Sequence, residues 1–372
     1  MITHIYDFLE KSVLKFPEKL AFVDTFGSNF KSISYKEFNV LSKKLASKIA
    51  KDLQYSYIQS PILILLPKSI DCLISFFGVS LSGNFYTLLD EKTPKERVEK
   101  VINILKPKLL ITSKDLNFDL NLPTLYTEDF LNFDIDETLL EEIKERHIDT
   151  NLLYVFFTSG STGVPKGVSI SHKSVIDYTF HICHILKINN QSILLNQTPF
   201  YFSASVRDIF SSIKAGATLH LLPNHLFAFP NKILSYLEEK QVSIISWVPT
   251  VLSFFAKDSI LNKFNLNSLR TVAFVGELIP IKTLHIWKKH LKNAKLFNLY
   301  GPTEIAGTCC YYEINRNFKE SEILPIGNNS KNTELLVFDE NMNFISPKEI
   351  GIKGELYIRG TCLSLGYYND SK

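Results

Sequence analysis

Neither sign of charge predominates: 41 Lys and Arg residues face 38 Asp and Glu. The formal net charge is +3, too small to argue for a nucleic-acid partner or an anionic membrane surface. Long apolar runs are missing too. The longest, Leu152 to Phe157, falls far short of the ~20 residues that span a bilayer. Cysteine is sparse: Cys72, Cys183, Cys309, Cys310 and Cys362 contain no C-x-x-C pair and no zinc spacing with histidine, which excludes a zinc-ligand reading. A vicinal pair such as Cys309–Cys310 is rarely bridged, so the thiols are read as reduced and the protein as cytoplasmic. The N-terminus, Met1 to Phe16, has helical amphipathicity with acids in it, not the pattern of a secretory signal.

What is present suits a globular chain able to bury large cores: 45% hydrophobic and 21% charged residues over 372 positions, enough for two or three folding units. Candidate strands at 61–67, 85–89, 109–112, 192–196, 217–222, 243–248, 271–275 and 295–299 alternate with helical patterns such as 35–53, 69–82, 208–214, 230–240 and 281–291. Thr93 is expected to cap a helix that begins at Pro94. This alternation predicts an α/β fold of two lobes, 1–185 and 186–320, each a mostly parallel sheet covered by helices. A helix, a hairpin turned at Gly27 and Ser28, and a second helix open the first lobe, and 115–149 reads as a surface excursion. After Glu322 the pattern changes to short antiparallel strands at 334–339 and 352–359, predicting a smaller β-rich subdomain over 321–372.

One stretch carries the strongest chemical signal, Tyr154 to His172, YVFFTSGSTGVPKGVSISH. Two β-prone runs flank Thr158, Ser159, Gly160, Ser161, Thr162 and Gly163, with Lys166 just beyond. Glycines let backbone N–H groups turn inward, Ser and Thr hydroxyls add donors, and a lysine adds a mobile charge. Such a concavity suits an anion, and a triphosphate above all. On composition alone such a cluster is more often a flexible turn between strands. A Walker loop does not fit, because Lys166 lies between Pro165 and Gly167. The hydrolase elbow G-x-S-x-G is also absent, since Gly160 and Gly163 stand one residue too close.

The string TSGSTGVPKGV resembles the phosphate loop of the adenylate-forming superfamily, which includes acyl-CoA synthetases, luciferases and the adenylation domains of peptide synthetases. A second string, FNLYGPTE at 297–304, resembles that superfamily's adenine and magnesium motif. The resemblance implies that ATP binds between the two. Asn298 and Tyr300 would contact adenine, with Leu299, Gly301 and Pro302 between and beside them, Thr303 the α-phosphate, and Glu304 the Mg2+ ion. Gly276 and Glu277 would form the other wall of the adenine slot. Gly354, Glu355, Gly360, Gly366 and Tyr367 match a further family string, and the β-rich subdomain would be a distorted barrel. Phrases such as LNQTPF, GATLH and FVGELIP are similar to those of D-alanine–carrier protein ligases and peptide-synthetase domains. The implied reaction joins a small carboxylic acid to AMP, with Lys166, Thr303 and Glu304 as catalytic groups, and passes the acyl group to a carrier protein or to CoA. A nucleotide- or acyl-binding module without full catalysis is the alternative.

Two departures stand out. Amino-acid-activating members carry an aspartate in the phrase FDxSV, which pairs with the substrate ammonium. Here Ser203 holds that position, followed by Ala204. Loss of such a desolvated pair costs on the order of several kcal/mol, so ordinary α-amino acids are expected to be poor substrates. Arg207, Ser246, Ala273, Val275, Leu299, Gly307 and Thr308 match the remaining acyl-pocket positions. Arg207 reads equally as a solvated helix residue. The family also continues with a Thr-Gly-Asp phrase, a hinge and a small C-terminal subdomain bearing an assisting lysine. None of these lies within the 372 residues, so that subdomain is expected as a missing partner.

Overall fold

A computed structural model describes residues 2–24, 31–54, 59–116, 118, 120–158 and 164–370. Two large sheets organise them. The first has six strands, in the order Thr124–Tyr126, Leu109–Thr112, Pro61–Leu65, Phe85–Leu89, Leu152–Thr158 and Lys166–Ser171. Every neighbouring pair is parallel except the last, an antiparallel hairpin. Pro61–Leu65 and Phe85–Leu89 are buried at every position, as continuous apolar runs must be when helices cover both faces.

The second sheet has nine strands. Its parallel centre runs Lys295–Tyr300, Thr271–Val275, Ile244–Trp247, Ile193–Asn196, Thr218–Leu221 and Leu20–Asp24. Antiparallel strands close both edges: Cys310–Glu313 and Asn328–Asn329 on one side, Ser32–Ser34 on the other. Past residue 320 the chain adds a two-stranded antiparallel sheet, Thr333–Phe338 with Glu355–Gly360. The molecule is thus mixed α/β with parallel-rich sheets and a small antiparallel one.

Local chemistry explains the helix starts. Ser34 and Glu37 form a reciprocal capping box, so the helix Tyr35–Asp52 begins where the strand ends. Ser69 caps Ile70–Leu81 and Ser171 caps His172–Ile185. Thr93, however, caps nothing. Pro94 is extended, with ψ of 139°, and the helix begins one residue later, spanning Lys95–Leu105.

Two segments depart from expectation. The N-terminal hairpin, expected in the first lobe, pairs with the second sheet, Leu20–Asp24 lying parallel to Thr218–Leu221. Side chains hold it there. Ser12 Oγ donates to the Ile213 carbonyl at 2.5 Å, Lys19 Nζ to Gly216 at 2.6 Å, and Tyr35 OH to Ala217 at 2.6 Å. Gly216 has φ of +67°, and a Cβ there would lie 2.5 Å from the Phe16 ring, so this crossing needs glycine. The excursion at 115–149 also contains regular structure: strand Thr124–Tyr126 extends the first sheet, and helix Glu137–Glu145 is capped by Asp136. The turn residues Gly27 and Ser28 lie outside the described residues. No helix among the described residues is long and apolar enough to cross a membrane, and all five cysteines are free and buried.

Candidate active site

Thr158 and Lys166 face each other across the mouth of the hairpin Leu152–Thr158/Lys166–Ser171. Thr158 Oγ1 donates to the Lys166 carbonyl at 3.5 Å. Ser159, Gly160, Ser161, Thr162 and Gly163 lie outside the described residues. Gly167 is sterically required, because a Cβ there would sit 2.7 Å from Val155 Cγ1.

The far end of the chain returns to this hairpin. Leu365 N donates to Ser169 O, Ser169 N to Gly366 O, and Tyr368 N to Gly167 O, at 2.8, 3.0 and 2.7 Å. That pairing fixes the register of Tyr367. Lys166 Nζ lies 4.8 Å from the centre of its ring, and its hydroxyl donates to Glu304 Oε1 at 2.9 Å. The hydrogen bond to the Glu304 carboxylate raises the Tyr367 pKa. The same segment holds the turn that carries Glu304. Ser364 N donates to Glu304 O at 2.9 Å and Ala306 N to Cys362 O at 2.7 Å. Two motifs far apart in sequence therefore meet through one tyrosine.

Beside them opens a cleft of about 580 Å³, lined by Thr158, Ser203 and Thr303 together with Lys92, Arg97 and Tyr201. Arg97 Nη2 donates to the Phe157 carbonyl at 3.2 Å. Sequence reasoning missed Lys92, Arg97 and the role of Tyr367. The available signal was positional: Lys92 and Arg97 follow the carboxyl end of a parallel strand, where ligand crevices open in such sheets.

Gly276, Glu277, Asn298, Leu299 and Tyr300 stand at the ends of two paired strands, Thr271–Val275 and Lys295–Tyr300. Gly276 has φ of +95° with open space where a Cβ would be. Glu277 accepts from Thr250 N at 3.1 Å and from the Thr250 hydroxyl, so it also secures the first turn of helix Pro249–Phe255. Asn298 lines a recess of about 250 Å³ with Ile279 and Ile323, and its Nδ2 donates to Pro325 O at 2.8 Å. Tyr300 is 39% exposed, leaving its ring surface free to stack. Gly301 packs against the backbone of Gly307 and Thr308, where a Cβ would meet Gly307 O at 2.6 Å, and Pro302 accepts from Ile305 N at 3.3 Å.

The residues expected to line an acyl pocket divide into two levels. Ser203 lines the cleft, and Ala204 stands at the N-cap of helix Ser205–Ala215. One turn further, Arg207 is buried, 1% exposed, which overturns its reading as a solvated helix residue. Its Nε meets Asp208 Oδ1 at 3.2 Å and its Nη2 donates to Ser246 O at 3.2 Å. Burial pushes the Asp208 carboxyl up and Arg207 opposes that shift. Ala273, Val275, Leu299 and Thr308 are buried as well. Gly307 lies against Tyr178, where a Cβ would clash with the ring at 2.2 Å.

The edge hairpin of the six-stranded sheet and the YGPTE turn that follows a strand of the nine-stranded sheet are thus joined through Tyr367. The chain belongs to the AMP-binding enzyme family, which matches residues 9–368. D-alanine–D-alanyl carrier protein ligase of Bacillus velezensis is 31% identical over 350 residues, 93% of this chain and 68% of that protein. Bacitracin synthase 1 of Bacillus licheniformis is 29% identical over 371 residues, 98% of this chain and 7% of that protein. Among solved structures, the nonribosomal peptide synthetase FmoA3 superposes with a TM-score of 0.87 at 19% identity, over 99% of this chain and 38% of that one. The N-terminal subdomain of Klebsiella oxytoca NpsA, in complex with 3-hydroxybenzoyl-AMSN, gives 0.79 at 20% identity, over 98% and 89%. The chain thus spans about two thirds of the carrier-protein ligase and far less of the synthetases.

Proposed function

We propose that this chain is the large domain of an enzyme that adenylates a carboxylic acid with ATP and passes the acyl group to a carrier-protein thiol in the cytoplasm. The observation that carries the reading is the meeting of Lys166 and Glu304 on Tyr367, beside a cleft that Thr158, Ser203 and Thr303 share. A carboxylate oxygen attacks the α-phosphorus of ATP, the bond to the bridging oxygen breaks, and pyrophosphate leaves with the electron pair. The protein positions two anions and neutralises developing charge.

Each residue has a physical role in that scheme. Lys166 rests on the Tyr367 ring, a contact worth about 0.5–1 kcal/mol at an exposed site, weak enough to yield its ammonium to phosphate oxygens. Thr303 offers a hydroxyl into the cleft. Glu304 is a carboxylate that fits a hard cation: one tyrosine hydroxyl occupies Oε1, and carboxylate oxygens have spare lone pairs. Mg2+ held there would neutralise charge on the phosphate oxygens. Tyr300, with Asn298, Gly276 and Glu277, supplies the adenine slot, and the loop Ser159–Gly163 the phosphate cradle.

The test is pyrophosphate exchange. Label from pyrophosphate should return to ATP only when a suitable carboxylic acid is present. ATP binding with no acid-dependent exchange, across a broad acid panel and with any separate partner subdomain supplied, would make the chain a nucleotide-binding module instead.

A further inference from the structure

A buried polar network begins one helical turn past Ser203, which lines the cleft. Asn196 Nδ2 donates to Asp208 Oδ2 at 3.0 Å, Arg207 Nε to Asp208 Oδ1 at 3.2 Å, and Arg207 Nη2 to the Ser246 carbonyl at 3.2 Å. Asn196, Arg207, Asp208 and Ser246 are each no more than 3% exposed. Within this one network, three side-chain atoms have no hydrogen-bond partner: Arg207 Nη1, Ser246 Oγ and Asn196 Oδ1. A buried unpaired polar atom is destabilising, and more so on a charged group. Several together call for an occupant.

Position and charge say what the occupant is. Asn196 and Ser246 stand near the carboxyl ends of adjacent parallel strands, where open α/β sheets bind ligands. Arg207 lies one turn past Ser203, which lines the cleft. Asp208 is already matched by Arg207 Nε and Asn196 Nδ2. The Nη1 edge of the guanidinium is therefore surplus: two N–H donors that want an oxygen. An ammonium beside that edge is repelled, and Ser203 supplies no charge to hold one.

We propose that the acid accepted here carries an oxygen acceptor on its tail, a ketone, hydroxyl or second carboxylate, which pairs with Arg207 Nη1 and the Ser246 hydroxyl. This rests on the adenylation reading above and adds the substrate class. A site built to hydrogen-bond an oxygen rejects the analogue lacking it strongly, by up to about 10⁴–10⁵.

The test compares acids that differ only at that oxygen. Succinate, levulinate and isocaproate share a skeleton and replace oxygen by methyl stepwise. Lactate with isobutyrate, and salicylate with ortho-toluate, extend the comparison. In acid-dependent pyrophosphate exchange, at least one oxygen-bearing acid should exceed its methyl isostere at least about tenfold in kcat/KM. Arg207→Lys and Ser246→Ala should each move that ratio toward one. The unmodified chain decides the question even if the Arg207 variant does not fold. Isosteres that work equally well overturn the proposal while leaving adenylation standing. If no acid drives exchange even with any separate partner subdomain supplied, the adenylation reading fails, and calorimetric binding of the same acids decides the pocket. A retained preference for oxygen supports it, and no preference or no binding overturns it.

Discussion

At the scale of single residues, Lys166 and Tyr367 show what sequence conveys and what it withholds. Lys166 is legible because its neighbours form a long, specific string. Tyr367 matched a string as well, but its role depends on register: only the pairing of Leu365–Tyr368 with Gly167–Ser169 brings its ring to Lys166 and its hydroxyl to Glu304. Arg207 was equally ambiguous, since a charged residue on a helix is usually solvated and only the packing of Ser246 and Asp208 buries it. If Lys166 serves the β- and γ-phosphates, Lys166→Ala should weaken ATP binding about tenfold or more and AMP binding little, because AMP lacks those groups. Tyr367→Phe keeps the ring and should spare this difference. Isothermal titration with both nucleotides checks it, and equal losses for ATP and AMP in the lysine variant would remove Lys166 from the phosphates.

At the scale of elements, the central strands and the helices between them were legible, because buried runs bounded by turn residues leave a plain pattern. The N-terminal hairpin was not: which sheet it joins is decided by contacts some 200 residues away, such as Ser12 with Ile213 and Thr218 with Leu20. A second tie holds the same segment. His4, His147 and His172 form a triangle with ring centres 4.3–4.4 Å apart. Tyr6 N donates to His4 Nδ1, His4 Nε2 to Ser80 O, His147 Nε2 to Thr3 O, and Ile5 N to His172 Nδ1. These bonds fit neutral rings, and burial holds all three below the ordinary histidine pKa, His4 and His172 well below it. Lys144 adds a positive charge nearby, while Asp7 and Asp149 favour protonation of His147. A lowered folded pKa means the unfolded chain binds more protons below about pH 6.5. Stability should therefore fall as pH drops below that value, by about 1.4 kcal/mol per pH unit for each fully buried histidine. His4→Asn should lower the melting temperature at pH 7 and flatten its decline toward pH 5. A wild-type melting temperature unchanged between pH 7 and pH 5 would show that the triangle is not what couples this helix to the rest.

At the scale of the molecule, alternating strands and helices made the class readable, but not the continuity between the two sheets. One hydrophobic core contains residues of both: Ile62 and Tyr154 from the first, Phe22, Leu219, Ala273 and Leu299 from the second. The N-terminal helix Tyr6–Lys15 is packed into it through Phe8 and Leu9, and the helix Ser205–Ala215 through Ile209 and Ile213. A second core, around Trp247 and Trp287, lies on the other face of the nine-stranded sheet. A shared core of this kind favours one cooperative unfolding transition, even though the sheets occupy different stretches of sequence. The proposed nucleotide site spans the same junction, with Lys166 on the first sheet and Tyr300 on the second. ATP with Mg2+ should then stabilise the whole molecule, by about 2.7 kcal/mol at a concentration 100 times the dissociation constant. Calorimetry should record one transition, moved upward by a few degrees. Two transitions, of which ATP moves only one, would place the nucleotide on a single sheet and separate the phosphate loop from the YGPTE turn in function as well as in sequence.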